Sequence, residues 1–272
     1  MVGNTVQRAL RQWTPTHYTK FGSQRLRPAL DLLQMVQVPS SATRVVDLGC
    51  GPGNVTPFLQ EPFPDAVIEC VDASESMLAA AKESHQGCPD IEYTLANFES
   101  FEPTEPVDVI YSNAALHWVS FDVHRTLLPR LLSFLKPGGV LAFQMPDTRK
   151  QPSHVLMGKA ALDLGLDVSS VRWVTNEVDS DAYYKLLSPL ATDIHLWSTN
   201  YTYILPTTTS NVHPVVDFVS STGLAPYVDA LSADDRPRYM EKYSELIAQA
   251  YPTQDDGVVL APYNRFFCVV TK

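Results

Sequence analysis

Three glycines spaced two apart within Arg44 to Asn54, RVVDLGCGPGN, constrain this 272-residue chain more than any other feature. Val45, Val46 and Leu48 form a short apolar run that meets Asp47 and the glycines, the pattern of a buried parallel strand breaking into a tight turn. Glycine permits positive φ and removes the Cβ atoms that would hold a bound molecule away from the backbone. A helix expected over about Asn54 to Gln60 points its free N–H groups at the same place. A ligand is therefore expected on the turn.

The spacing is GxGxG, and Asn54 breaks the GxGxxG that dinucleotide binding asks for, which argues against a nicotinamide enzyme. VIECVDAS at 67–74 supplies a second strand ending in Asp72, where an acidic side chain meets a ribose hydroxyl pair by analogy with dinucleotide folds. A PGG turn at 137–139 precedes a further strand. The DLGCGPG turn, the acid after the next strand and this PGG together resemble motifs of class I S-adenosylmethionine-dependent methyltransferases.

Composition narrows the partners. Hydrophobic residues are 45% and charged ones 18%, values of a globular chain that buries a core without staples. A net charge of −10 argues against nucleic acid or an anionic membrane surface, so an anionic substrate requires a locally basic site. Cys50, Cys70, Cys88 and Cys268 show no CxxC spacing, and neither a metal site nor a disulfide framework is expected. Cys70 and Cys268 read as buried small hydrophobes. No signal-like h-region and no membrane-length apolar run occur, so a cytoplasmic enzyme is expected.

Along the chain, Trp13, Tyr18 and Phe21 precede a helix expected near Ser23 to Val36. Two readings are open for WTPTHYTKF: the aromatics pin that helix to the sheet, or the segment folds over the ligand as a lid with Tyr18 in contact. Strand two (67–71), a helix from Ser74 to about Ser84 and strand three (Ile91 to Leu95) give a βαβ rhythm and a parallel sheet. Asn97 and Phe98 follow, and the Asn97 amide oxygen is expected to accept from an adenine amino group. Strand four (Val107 to Tyr111) leads into SNAALHWV at the carboxyl end of the sheet, where open α/β folds place ligands. There His117 suits donation to a carboxylate and Trp118 suits walling the cofactor. A helix over Asp122 to Leu135 and strand five over Val140 to Gln144 follow, after which the rhythm breaks. Strands at 193–205 and 258–270, with helical insertions, complete an α/β, Rossmann-like, seven-stranded, mostly parallel sheet with a helical cap. The expected division is a lid and helix at 1–40, a cofactor-binding core at 41–146, and remaining core strands at 147–272 carrying cap insertions at 147–190 and 206–256.

The resemblance narrows beyond the cofactor motifs. WTPTHYTKF, QRLRPALDLL, SNAALHWV, FQMPD, PSHVLM, YYKLL, LWSTNY, VVDFVSSTGLAPYVDAL and the ending AYPTQDDGVVLAPYNRFFCVV are similar to the trans-aconitate methyltransferase family over nearly the whole chain. That implies S-adenosyl-L-methionine as cofactor and a small polycarboxylic acid as methyl acceptor. It also implies that Gly49, Gly51 and Asp72 bind the cofactor, with Asp47, Ser112 and Asn113 at its methionine end. A carboxylate is already ionised at pH 7, so no general base is needed and positioning dominates, with reacting atoms about 3 Å apart. Closing out water strengthens the attack of an anion on a sulfonium. The acid's other carboxylates need cations, and bidentate Arg suits them. Arg265, Arg25, Arg27 and Arg172 are candidates, with His117 and the hydroxyls of Tyr18, Tyr183 and Tyr201; Arg265, Arg25, His117 and Tyr18 are favoured. The acceptor alternatives are another acid, such as a keto acid, or no acceptor at all in a non-catalytic cofactor-binding module.

Overall fold

The computed structural model describes residues 22–38, 41–88, 90–171, 178–207 and 212–272, with the side chains of 22–25 left aside. Seven strands form one sheet, in the order β3-β2-β1-β4-β5-β7-β6. They are β1 (Arg44–Leu48), β2 (Val67–Asp72), β3 (Ile91–Leu95), β4 (Val107–Asn113), β5 (Leu135–Pro146), β6 (Asp193–Pro206) and β7 (Val258–Thr271). The first five pair in parallel, and β7 runs antiparallel to both β5 and β6. The strand order reverses between β1 and β4, which opens a crevice at their carboxyl ends.

The nine helices named here are α1 (Gly22–Leu33), α2 (Thr56–Gln60), α3 (Glu75–Ser84), α4 (Phe121–Ser133), α5 (Pro152–Asp163), α6 (Ser180–Leu187), α7 (Pro214–Ser220), α8 (Leu224–Ala230) and α9 (Asp235–Ala250). Side chains alternate across each strand, so the sheet has two apolar faces. On one, Ala29 and Leu32 of α1 pack with Val45, Val109, Tyr111, Val140 and Phe267. On the other, Leu127, Leu128 and Leu131 of α4 pack with Val46, Ile110, Leu141, Phe143 and Phe266. A third core joins α5, α7 and α9 to the far halves of β6 and β7 through Tyr203, Val259, Ala261 and Tyr263. These helices thus rest on the antiparallel end of the sheet.

Local chemistry sets the element ends. The hydroxyls of Ser74 and Ser120 accept from the N–H groups of Met77 and Val123, capping α3 and α4. Strand β5 begins at Leu135, not Val140, because the KPGG stretch is absorbed as a register shift against β4. A Cβ on Gly139 would lie 2.9 Å from the Lys136 carbonyl oxygen, so only glycine fits that bulge. Helix α2 starts at Thr56. Asn54 and Val55, expected inside it, belong to the turn.

Candidate functional site

A cavity of about 350 Å³ opens at the carboxyl ends of β1, β2 and β4, a size suited to a small ligand. The glycine turn forms one wall. Gly49 has φ of +78° and gives its N–H to the Val71 carbonyl at 2.7 Å, and a Cβ there would come within 2.3 Å of the Ala115 methyl. Gly51 has φ of +58°, lines the cavity, and has nothing within 4 Å of where a Cβ would stand. That bare face is a cradle whose space one methyl group would take from a ligand.

Asp72, at the end of β2, braces the turn. One carboxylate oxygen accepts from the Gly51 N–H and the other from the Ser74 N–H, both at 2.9 Å. Each oxygen has further acceptor capacity, and burial raises the carboxyl pKa above its ordinary value. Asp47 lines the cavity from β1 and accepts from the Thr56 hydroxyl at 3.0 Å. Burial, and secondarily the Asp72 charge, push its pKa up to about 7 against the effect of Thr56.

Of the residues expected to hold a cofactor, Asp47, Gly49, Gly51, Asp72, Asn97, Phe98, Asn113 and Trp118 line the cavity together. Ser112 does not. It is fully buried, with its hydroxyl given to the Leu48 carbonyl at 2.7 Å, because alternation along β4 turns it into the sheet interior. Asn97 is corrected in its chemistry: its amide oxygen accepts the N–H groups of Glu99 at 3.0 Å and Ser100 at 2.8 Å, closing a local turn. The oxygen expected for adenine is already engaged.

The expected acceptor residues separate. Tyr18 and Arg172, like Trp13 and Phe21, lie outside the described residues, as does the side chain of Arg25. Tyr183 is a core residue whose hydroxyl meets His124 Nδ1 at 3.0 Å, and the Tyr201 hydroxyl donates to Asp31 at 2.8 Å, so both serve packing. Arg27 is exposed and pairs with Asp31 at 2.7 Å. The other two, His117 and Arg265, are buried, and neither lines the cavity. His117 is buried in the 3₁₀ turn Leu116–Trp118 with its ring 4.9 Å from that of Trp118. Burial first, and then the Arg265 charge, push its pKa down to about 3.

Arg265 is 5% exposed, donates from Nη1 to Gln144 Oε1 at 3.2 Å and sits 5.1 Å over the Tyr263 ring. Its buried Nε has no hydrogen-bond partner among the described residues. No carboxylate among them lies within ion-pair distance. Gln144 in turn donates to Asn113 Oδ1, at the cavity wall. Residues two apart share a sheet face, so Asp47, Asn113, Gln144 and Arg265 share one and step diagonally across it: Asp47 is opposite Tyr111, Asn113 opposite Gln144, and Arg265 further on, opposite Pro146.

Residues that sequence reasoning missed are Leu26 of α1, Met77 of α3, Pro226 of α8 and Ala114, all lining the cavity. Ala114 has φ of 50°, a left-handed strain of the kind that gathers at functional sites. Gln144 was also missed. A polar residue closing the apolar run VLAF is the signal that could have found it.

A methyltransferase domain profile matches residues 45–139. A trans-aconitate 2-methyltransferase of Azoarcus sp. (strain BH72) is 40% identical over 260 residues, covering 96% of this chain and 99% of the relative. One from Enterobacter sp. (strain 638) is 38% identical, covering 97% and 99%. Among solved structures, the YcgJ protein of Bacillus subtilis is 17% identical with a TM-score of 0.57, covering 90% of this chain and 98% of its own. The Haemonchus contortus phosphoethanolamine N-methyltransferase 2, solved with S-adenosyl-L-methionine, is 16% identical with a TM-score of 0.53, covering 90% and 52%. These two likenesses speak to the fold.

Proposed function

We propose, for a chain that belongs to the trans-aconitate 2-methyltransferase family, that it esterifies one carboxylate of a small polycarboxylic acid such as trans-aconitate. Bound in the cavity, S-adenosyl-L-methionine supplies an electrophilic methyl group on a sulfonium sulfur. The residues present fit that cofactor. The bare face of Gly51 admits it, Asp72 offers acceptors to ribose hydroxyls, and Asp47 offers a carboxylate to the amino-acid end.

Arg265 carries the acceptor side of the reading. A guanidinium is charged at every working pH, and burying it without a counter-ion is costly. Arg265 does not itself line the cavity; within the described residues its neighbours are a neutral amide and an aromatic face, and its uncompensated charge favours an acid on that side of the cavity. His117, held neutral by burial, adds a hydrogen-bond donor without a second charge. The acceptor oxygen is ionised already, so these groups orient it and keep water out.

A panel of di- and tricarboxylic and keto acids assayed for methyl ester settles the acceptor. Trans-aconitate is expected to turn over fastest. Preference for another acid, or tight cofactor binding with no ester from any acid, overturns the proposal. Arg265→Lys keeps the charge and loses the planar fork, and is expected to raise KM for the acid about tenfold, or about 1.4 kcal/mol. The Kd for S-adenosylhomocysteine should stay within a factor of two.

A further inference from the structure

We propose that Gln144 is a positioning residue: it transmits the hydrogen-bond polarity of Arg265 to Asn113, so that Asn113 presents an amide N–H to the cavity and that end receives a carboxylate. The proposal deepens the reading above and rests on it for the identity of the ligands. Its logic is one of donors and acceptors. A guanidinium has five N–H donors and no acceptor, so Gln144 must turn its oxygen toward Arg265, as it does at 3.2 Å. The Gln144 Nε2 then faces the opposite way and donates to Asn113 Oδ1. With its oxygen turned toward Gln144, the group that Asn113, at the cavity wall, points away from Gln144 is Nδ2, a donor. Amide orientations are ordinarily ambiguous, but here the charge at one end determines both.

Gln144 is fully buried, so an amide turned the wrong way would leave Arg265 facing a second donor with no water to intervene. The registers agree: Asn113 stands opposite Gln144 in β4–β5, and Arg265 stands opposite Pro146 in β5–β7. The carboxylate has two possible sources, the amino-acid end of the cofactor or the acceptor acid. They share one chemistry, and the experiment separates them.

Gln144→Glu reverses the relay. A Glu at 144 pairs with Arg265 and can only accept, so Asn113 must give its Nδ2 inward and show its oxygen to the cavity. Asn113→Asp reaches the same end at a less buried position. Titration calorimetry on the full chain would use S-adenosylhomocysteine, 5′-methylthioadenosine, which lacks the amino-acid end, and trans-aconitate added to the S-adenosylhomocysteine complex. In both variants at least one carboxylate ligand should weaken tenfold or more, while 5′-methylthioadenosine stays within twofold. Which one weakens names the source. Equal weakening of 5′-methylthioadenosine, or no weakening of either carboxylate ligand, overturns the relay. If the unmodified protein does not bind trans-aconitate, the acceptor assignment fails separately and S-adenosylhomocysteine decides the relay alone.

Discussion

At the residue scale, the cavity depends on what is missing from Gly51. A Cβ there meets no protein atom within 4 Å, and its φ of +58° falls in the left-handed region that other residues enter at a cost of about 1 kcal/mol. Gly51→Ala is therefore expected to fold, with a small loss of stability, while S-adenosylhomocysteine binding weakens tenfold or more by calorimetry. Gly49→Ala differs, because its Cβ would collide with the Ala115 methyl at 2.3 Å. The glycine spacing announces both positions. It does not say that one glycine makes room for the chain and the other for a ligand, since that depends on what faces each.

At the scale of elements, α1 reaches the cavity through Leu26 and is tied to the sheet by the Tyr111 hydroxyl, which donates to the Ala29 carbonyl at 2.6 Å. Both groups are buried, so Tyr111→Phe removes a hydrogen bond that water cannot replace. It is expected to lower stability by about 1–2 kcal/mol, read as a shifted urea midpoint. The helix was legible from its apolar spacing, yet it ends at Leu33 and not near Val36, and its contact with the cavity was not. Spacing reports which side of a helix is buried. It is silent on which strand that side covers.

Over the whole molecule, burial of histidine makes stability respond to acid. His117 and His154 are both driven down to about 3, chiefly by burial, against about 6.5 in an unfolded chain. Each contributes in full above pH 6.5 and loses that contribution as pH falls toward 3, since the unfolded chain then binds more protons. Asp47, raised to about 7, acts in the opposite sense, being most favourable below its unfolded value and losing that contribution as pH rises through 7. Comparison with a variant isolates one group: the stability of the unmodified protein relative to His154→Gln should fall by about 1.4 kcal/mol per pH unit between about pH 6 and 4. A difference that stays flat would place His154 in solvent. No helix among the described residues is long and apolar enough to cross a membrane.

The sequence by itself determined the βα rhythm, the glycine turn, Asp72 and the family resemblance, because these are encoded in neighbours along the chain: period, spacing and order. Tertiary structure alone decided that Asn97 spends its oxygen on its own turn, that Ser112 faces inward, and that Arg265 lies buried behind Gln144 and Asn113 with no carboxylate paired to it among the described residues. The Asn97 turn is local but its side-chain geometry is not written in spacing, whereas Ser112 answers to Leu48 across 64 residues and Arg265 to Gln144 across 121. Which buried charges keep a counter-ion is decided by such contacts, because desolvation depends on what the fold packs around a group and not on its neighbours along the chain.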